Sequence, residues 1–167
     1  MRWQSQGVGR LTVALEIERK FLLKNDTWKQ QVSRCVRIRQ GYLNRAKECS
    51  IRVRAAEGRG WLNIKSATIG VQRHEYEYEI PFADAEEMLD NLCMKPLIEK
   101  VRHYANFGEH VWEIDVFEGE NEGLVVAEIE LSEPGERFDL PPWAGKEVTE
   151  DPRYYNTCLA RHPFKHW

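Results

Sequence analysis

The feature that most limits what this chain can fold into is a two-residue rhythm. Apolar and charged side chains alternate through eight stretches, 14–23, 36–43, 48–55, 61–66, 72–81, 98–106, 110–118 and 124–132. Alternation of this period is the signature of strands with two unlike faces. Turn-forming stretches, EGRG at 57–60 and EGENEG at 118–123, join neighbouring runs and predict antiparallel pairing.

Residues i and i+2 on a strand point the same way, roughly 6.5–7 Å apart, so each face can be read separately. One face carries Glu16, Glu18 and Lys20, then Arg37 and Arg39, Arg52 and Arg54, Lys65, and Arg73 with Glu75, Glu77 and Glu79. It continues with Lys100 and Arg102, Glu113 and Asp115, and Glu128 and Glu130, which makes nine acids and nine bases. The other face is apolar: Ile17 and Phe21, Val36 and Ile38, Ile51 and Val53, Leu62 and Ile64, Trp112 and Ile114, Ile129 and Leu131. A solvated face of an antiparallel sheet ordinarily mixes Thr, Ser and Gln with its charges. Here the polar positions are almost all charged, and like charges sit side by side, as in Arg52/Arg54 and Glu128/Glu130. Such neighbours repel unless something of opposite sign lies between them.

If eight strands curl with the charged face concave, the interior has room for packed side chains or one small ligand. Unpaired charges inside would cost several kcal/mol each, so the interior needs counter-ions. Carboxylates suit a hard cation such as Mg²⁺ or Mn²⁺, and guanidinium and ammonium groups suit phosphate oxygens. A cavity with both predicts a metal–polyphosphate site.

The rest of the chain sets bounds. With 167 residues and 42% hydrophobic content, one compact domain is expected. A formal net charge of −3 gives no general attraction to nucleic acid or an anionic membrane, so a site for a small polyanion must come from the local arrangement of the basic residues. There is no apolar run of membrane-spanning length, and 1–9 lacks a signal-peptide core, which predicts a cytoplasmic protein. Cys35, Cys49, Cys93 and Cys158 form no C-x-x-C pair, so neither a zinc site nor a disulfide framework is indicated. Two helices are predicted: one opened by a capping box of Asp84 and Glu87, one begun by Asp151–Pro152. Between strand 124–132 and that second helix, a Pro- and Gly-rich segment reads as an ordered loop, with Trp143 as its packing anchor.

EIERKF at 16–21 resembles the ExExK signature of the CYTH, or triphosphate tunnel metalloenzyme, family. The resemblance continues in order through RQGYL (39–43), SIRVR (50–54), NIKS (63–66), RHEYEYEI (73–80), EKVR (99–102), WEIDVFEG (112–119), LVVAEIEL (124–131) and EVTEDPRYYN (147–156). It covers about 14–163, leaving 1–13 as an extension and 164–167 as a tail. The resemblance implies a mainly β fold, an eight-stranded antiparallel closed barrel with a charged interior and a few peripheral helices. It implies divalent-metal-dependent hydrolysis of inorganic triphosphate to pyrophosphate and phosphate, with Mg²⁺ or Mn²⁺ and two ions during turnover. Metal ligands carried over are Glu16, Glu18, Glu128 and Glu130, with Asp115 and Glu113 supporting. The triphosphate clamp carried over is Lys20, Arg39, Arg52, Arg54, Lys65, Arg73, Lys100 and Arg102. Lys65 and Tyr42 are the implied proton-handling pair, with an alkaline optimum. The alternatives on this fold are a class IV-type adenylate cyclase, a nucleoside or thiamine triphosphatase, and a non-catalytic polyphosphate-binding module. Monomer and homodimer both remain open.

Overall fold

The computed structural model describes residues 17–46, 48–66, 75–133 and 135–167. Its strands are β1 (Ile17–Leu23), β2 (Val32–Tyr42), β3 (Cys49–Ala56), β4 (Arg59–Ser66), β5 (Glu75–Ile80), β6 (Ile98–Phe107), β7 (His110–Phe117), β8 (Val125–Leu131) and β9 (Ala144–Glu147). They form one antiparallel sheet in the order β5-β4-β3-β2-β6-β7-β8-β1-β9. The fold is mainly β with few helices, as the alternation predicts. A ninth short strand, hidden in the segment read as a loop, pairs with β1 through Phe21↔Glu147 and Leu23↔Ala144. Among the described residues no ladder joins β5 to β1 or β9.

The outer face of the sheet is dry in two places. Phe21, Trp112, Ile114, Ala127 and Ile129 pack beneath Trp28 and Trp143, so Trp143 does anchor its segment. Helix α1 (Phe82–Asn91) lays Ala85 and Leu89 on Val53 and Ala55. It starts two residues before the expected box, with Pro81 as the N-cap, so Asp84 lies inside its first turn and caps nothing. The docking is close: a Cβ on Gly60 would meet the Ala85 Cβ at 2.6 Å, and one on Gly41 would meet the Cys93 Cβ at 2.7 Å.

Gly41 settles a question that alternation leaves open. Residues 35, 37, 39 and 41 share a face of β2. Because Gly41 packs beneath the segment following α1, that face is the outer one. Val36, Ile38 and Gln40 therefore point inward, the reverse of the expected phase. Arg37 and Arg39 point outward, where carboxylates meet them: Glu118 at 2.9 Å from Arg37, and Glu86 and Asp90 at 2.6 and 2.7 Å from Arg39.

The sheet curls far enough for side chains of β1, β3, β4, β6 and β8 to line one cavity of about 360 Å³. One end of its inner face is apolar. Ile98, Phe117, Leu124 and Val126 pack there against Leu159 of helix α2 (Asn156–Leu159). A 3-10 turn at Pro152–Tyr154 leads into α2, and the Asp151 side chain accepts from the Arg153 N–H at its start. Residues 164–167 dock here too: the Phe164 N–H donates to Asn121 Oδ1 at 2.9 Å, and the Trp167 ring packs edge-on to Phe164 and Tyr154.

Candidate functional site

Cross-strand register decides which charges meet in the cavity. β1 and β8 pair Glu18 with Glu130 and Lys20 with Glu128, bringing carboxylates more than a hundred residues apart onto one patch. Lys20 is only 5% exposed and lies between two of them, its Nζ 2.6 Å from Glu128 and 3.0 Å from Glu18. Burial works against the ammonium, but Glu128 and Glu18 outweigh it and raise its pKa above the ordinary lysine value. Glu130 is exposed at the far side of the pair. Glu16, the other expected ligand, lies outside the described residues.

Deeper in, β6 and β7 place Arg102 opposite Asp115. Asp115 is fully buried; Arg102 Nε and Nη2 donate to its two oxygens at 2.7 and 2.8 Å, and the buried Lys100 ammonium donates to the second oxygen. Burial alone would raise this carboxyl; Lys100 and Arg102 overcome it and hold it at about 2. For Lys100 the balance tips the other way, because complete burial outweighs the support of Asp115 and Arg102 adds repulsion, so its pKa falls. Arg102 also donates to Glu128 at 3.0 Å and bonds Glu113. Burial counts against its charge, yet the three carboxylates push its pKa well above the ordinary value. Glu113 is pushed up, mainly by burial and in part by its acidic neighbours Asp115 and Glu128, while Arg102 opposes the rise.

The third wall is basic. Arg52 and Arg54 of β3 stand beside Lys65 of β4, whose ammonium is 2.8 Å from Glu75. The immediate neighbour of Lys65 is thus a carboxylate as well as the cations expected around it. Arg54 approaches Glu77 only to 3.5 Å, and burial, then the charge of Arg52, lower its pKa. Arg52 makes no salt bridge among the described residues, and its Nε is buried without a hydrogen-bond partner. Arg73 lies outside the described residues.

Most expected site residues converge on this cavity: Glu18, Lys20, Arg52, Arg54, Lys65, Lys100, Arg102, Glu128 and Glu130 all line it. Tyr42 and Lys65 border an adjoining space that shares Glu18, Lys20 and Arg52 with it. Two expectations are corrected. Arg39 lies on the outer face, bound to α1. Asp115 is no open metal ligand: it is fully buried behind Lys100 and Arg102, which bond both its oxygens, and unlike Glu128 it does not line the cavity. Among the described residues no three His, Cys, Asp or Glu side chains are drawn together in readiness for a metal ion. The Lys20 ammonium lies between Glu18 and Glu128, two of the carboxylates that would hold such an ion. The donor chemistry of Glu18, Glu128 and Glu130, all carboxylate oxygen, nonetheless fits a hard divalent cation.

Neutral residues complete the wall. Gln40 projects into it opposite Arg54 in the β2–β3 register, and buried Asn63 donates to Glu75 at 2.6 Å. Asn156 reaches it from the C-terminal segment, Tyr155 lines the adjoining space, and Tyr154 packs away from both. The polar sites within RQGYL and NIKS are visible in the sequence as inward positions only once the strand phase is known. A wider open depression of about 890 Å³ lies on the outer face beside Phe138, but its Arg19 and His110 are already paired with Glu147 and Glu136.

The CYTH domain family model matches residues 14–156. This chain belongs to the CYTH domain family. An inorganic triphosphatase of Acetivibrio thermocellus is 47% identical over 152 residues, which cover 91% of this chain and 97% of that protein. A second inorganic triphosphatase, of Nitrosomonas europaea, is 38% identical over 149 residues, covering 87% and 96%. The crystal structure of an inorganic triphosphatase superposes with a TM-score of 0.68 at 31% identity, covering 91% of this chain and 97% of that one. Among the described residues no helix is long and apolar enough to cross a membrane.

Proposed function

We propose that this CYTH domain hydrolyses inorganic triphosphate to pyrophosphate and phosphate inside the charged cavity, with Mg²⁺ or Mn²⁺ held by Glu18, Glu128 and Glu130. The observation that carries the reading is the state of Arg52. A guanidinium facing a cavity with a buried, unpartnered Nε and no salt bridge among the described residues, next to the like charge of Arg54, is suited to an added anion, with Glu75 supplying only a longer-range charge. Phosphate oxygens match it bidentately. Across the cavity the carboxylates of β1 and β8 offer the opposite chemistry. This separation suits phosphoryl transfer, where neutralisation and in-line positioning do most of the work.

A bound divalent ion would neutralise phosphate oxygens and acidify the attacking water. Lys20 would exchange its carboxylate partners for a phosphate when that ion arrives. Arg102 and Lys100, tied to Asp115, would act as a fixed positive floor, leaving Arg52, Arg54 and Lys65 as the groups that grip the chain of phosphates. Arg73 is included in that grip and Glu16 in the metal cradle on the family resemblance alone. Tyr42 beside Lys65 would handle the proton. The small polar cavity favours an inorganic substrate over one with a bulky organic part, and both curated relatives described above bear the name inorganic triphosphatase.

The test is a panel with purified protein and Mg²⁺ on tripolyphosphate, ATP, thiamine triphosphate and long-chain polyphosphate, reading phosphate and cyclic nucleotide. Tripolyphosphate should turn over fastest and chelation should stop it. Faster release of cyclic nucleotide, or a rise in melting temperature with tripolyphosphate but no turnover, would overturn the assignment.

A further inference from the structure

The cations in the cavity are held in place by two different means. Lys20, Lys65, Lys100 and Arg102 are each within 3.0 Å of at least one carboxylate oxygen. Arg54 is not: Glu77, its nearest, stands at 3.5 Å, too far for a good hydrogen bond, and also accepts weakly from Asn63. Its neighbour Arg52 repels it. Glu77 opposes this repulsion only from that distance, and the closer support is an aromatic ring. Trp61 stands directly opposite Arg54 in the β3–β4 register, and the Arg54 guanidinium carbon lies 4.7 Å from the ring centroid. The ring is itself braced, because Arg59 lies over it at 5.2 Å while also bonding Glu79 at 3.0 and 2.5 Å.

We infer that Trp61 is a positioning residue for substrate binding, which orients Arg54 by ring stacking and, unlike a second carboxylate, takes up none of its N–H donors and cancels none of its charge. A carboxylate in the same place would take up donors and cancel charge; a ring face attracts the cation through its quadrupole and takes no N–H. The arrangement gives the cavity one anion receptor, Arg52 with Arg54, in which the long Arg54–Glu77 contact is the single salt bridge among the described residues that a ligand would have to loosen. Lys20 and Lys65, by contrast, would have to exchange a carboxylate for phosphate, while Lys100 and Arg102 stay tied to Asp115. This inference rests on the proposed anion site.

Titration calorimetry of the full chain with sodium tripolyphosphate in metal-free buffer tests it without relying on turnover. Trp61→Leu should weaken binding about tenfold, the order of a partly desolvated cation–ring contact, and should raise KM with kcat changed less than about twofold. Trp61→Phe, which keeps a ring and serves as the readout if the Leu variant does not fold, should stay within about threefold of the unmodified protein. In an Arg54→Gln background, Trp61→Leu should add nothing. Unchanged affinity in Trp61→Leu, or an equal loss with Arg54 absent, would overturn the positioning role while leaving the anion site standing. Unchanged affinity in Arg54→Gln alone, or no binding by the unmodified protein, would remove the anion site and the inference with it.

Discussion

Replacing Asp115 by Asn probes the cation floor beneath the proposed phosphate site. The carboxylate is fully buried and accepts from Arg102 twice and from Lys100 once. Lowering a carboxyl from 3.8 to about 2 corresponds to roughly 2.5 kcal/mol in favour of the charged form. Asn also leaves Lys100, itself 2% exposed, without its salt-bridge partner and with only the longer-range charge of Glu128 in support. Removing one partner of a buried ion pair typically costs about 3–5 kcal/mol. The loss is moderated because Arg102 keeps Glu113 and Glu128. The expected outcome in urea or guanidinium unfolding is therefore a loss of about 2.5–5 kcal/mol, with a native fold at low denaturant. Acid should reproduce part of it. The folded-state pKa lies below the unfolded one, so the contribution is complete above about pH 4 and is lost as pH falls through about 2. Asp115→Asn should flatten that part of the stability profile. A loss under about 1 kcal/mol, or an unchanged acid limb, would refute the picture of Asp115 as the buried anchor of Lys100 and Arg102.

Two further predictions separate binding from scaffold. Arg39→Ala should lower stability by only about 1 kcal/mol, as for a partly exposed ion-pair network, and leave tripolyphosphate affinity unchanged; a tenfold loss of affinity by calorimetry would return Arg39 to the site. Glu18→Gln should abolish metal-dependent turnover while unfolding within about 1 kcal/mol of the parent, because it removes a metal-binding oxygen and relieves repulsion from Glu130; gross unfolding by circular dichroism would make this patch structural.

Most of the strand map is legible in the sequence because burial on one face and charge on the other leave a period-two trace that no helix would produce. The inward charged positions of β1, β3, β4, β6, β7 and β8 follow from it, and so does the crowding of like charge that demands a counter-ion. Strand β9 leaves no such trace: AGKE is four residues long and is held to the edge of β1 by partners elsewhere in the chain. The capping box fails for a similar reason, since Pro81 ends β5 and starts α1 in one step, before Asp84 is reached.

Alternation by itself determined that the protein would be built from strands whose two sides differ, one side mainly apolar and the other mainly charged. It did not determine the phase of β2, because VRIR reads equally well with either side inward. Tertiary packing chose, through the contact of Gly41 with Cys93, which leaves no room for a side chain on that face. Nor could alternation sort the charges into those already bound and those available. Asp115 and Arg54 look alike in the sequence, each a charge on an inward position. Asp115 is locked between two cations, while Arg54 is held by a ring, and the difference is set by what lies directly across the neighbouring strand. Pairwise electrostatics act over a few ångströms, and only the folded register brings residues from distant parts of the chain within that range.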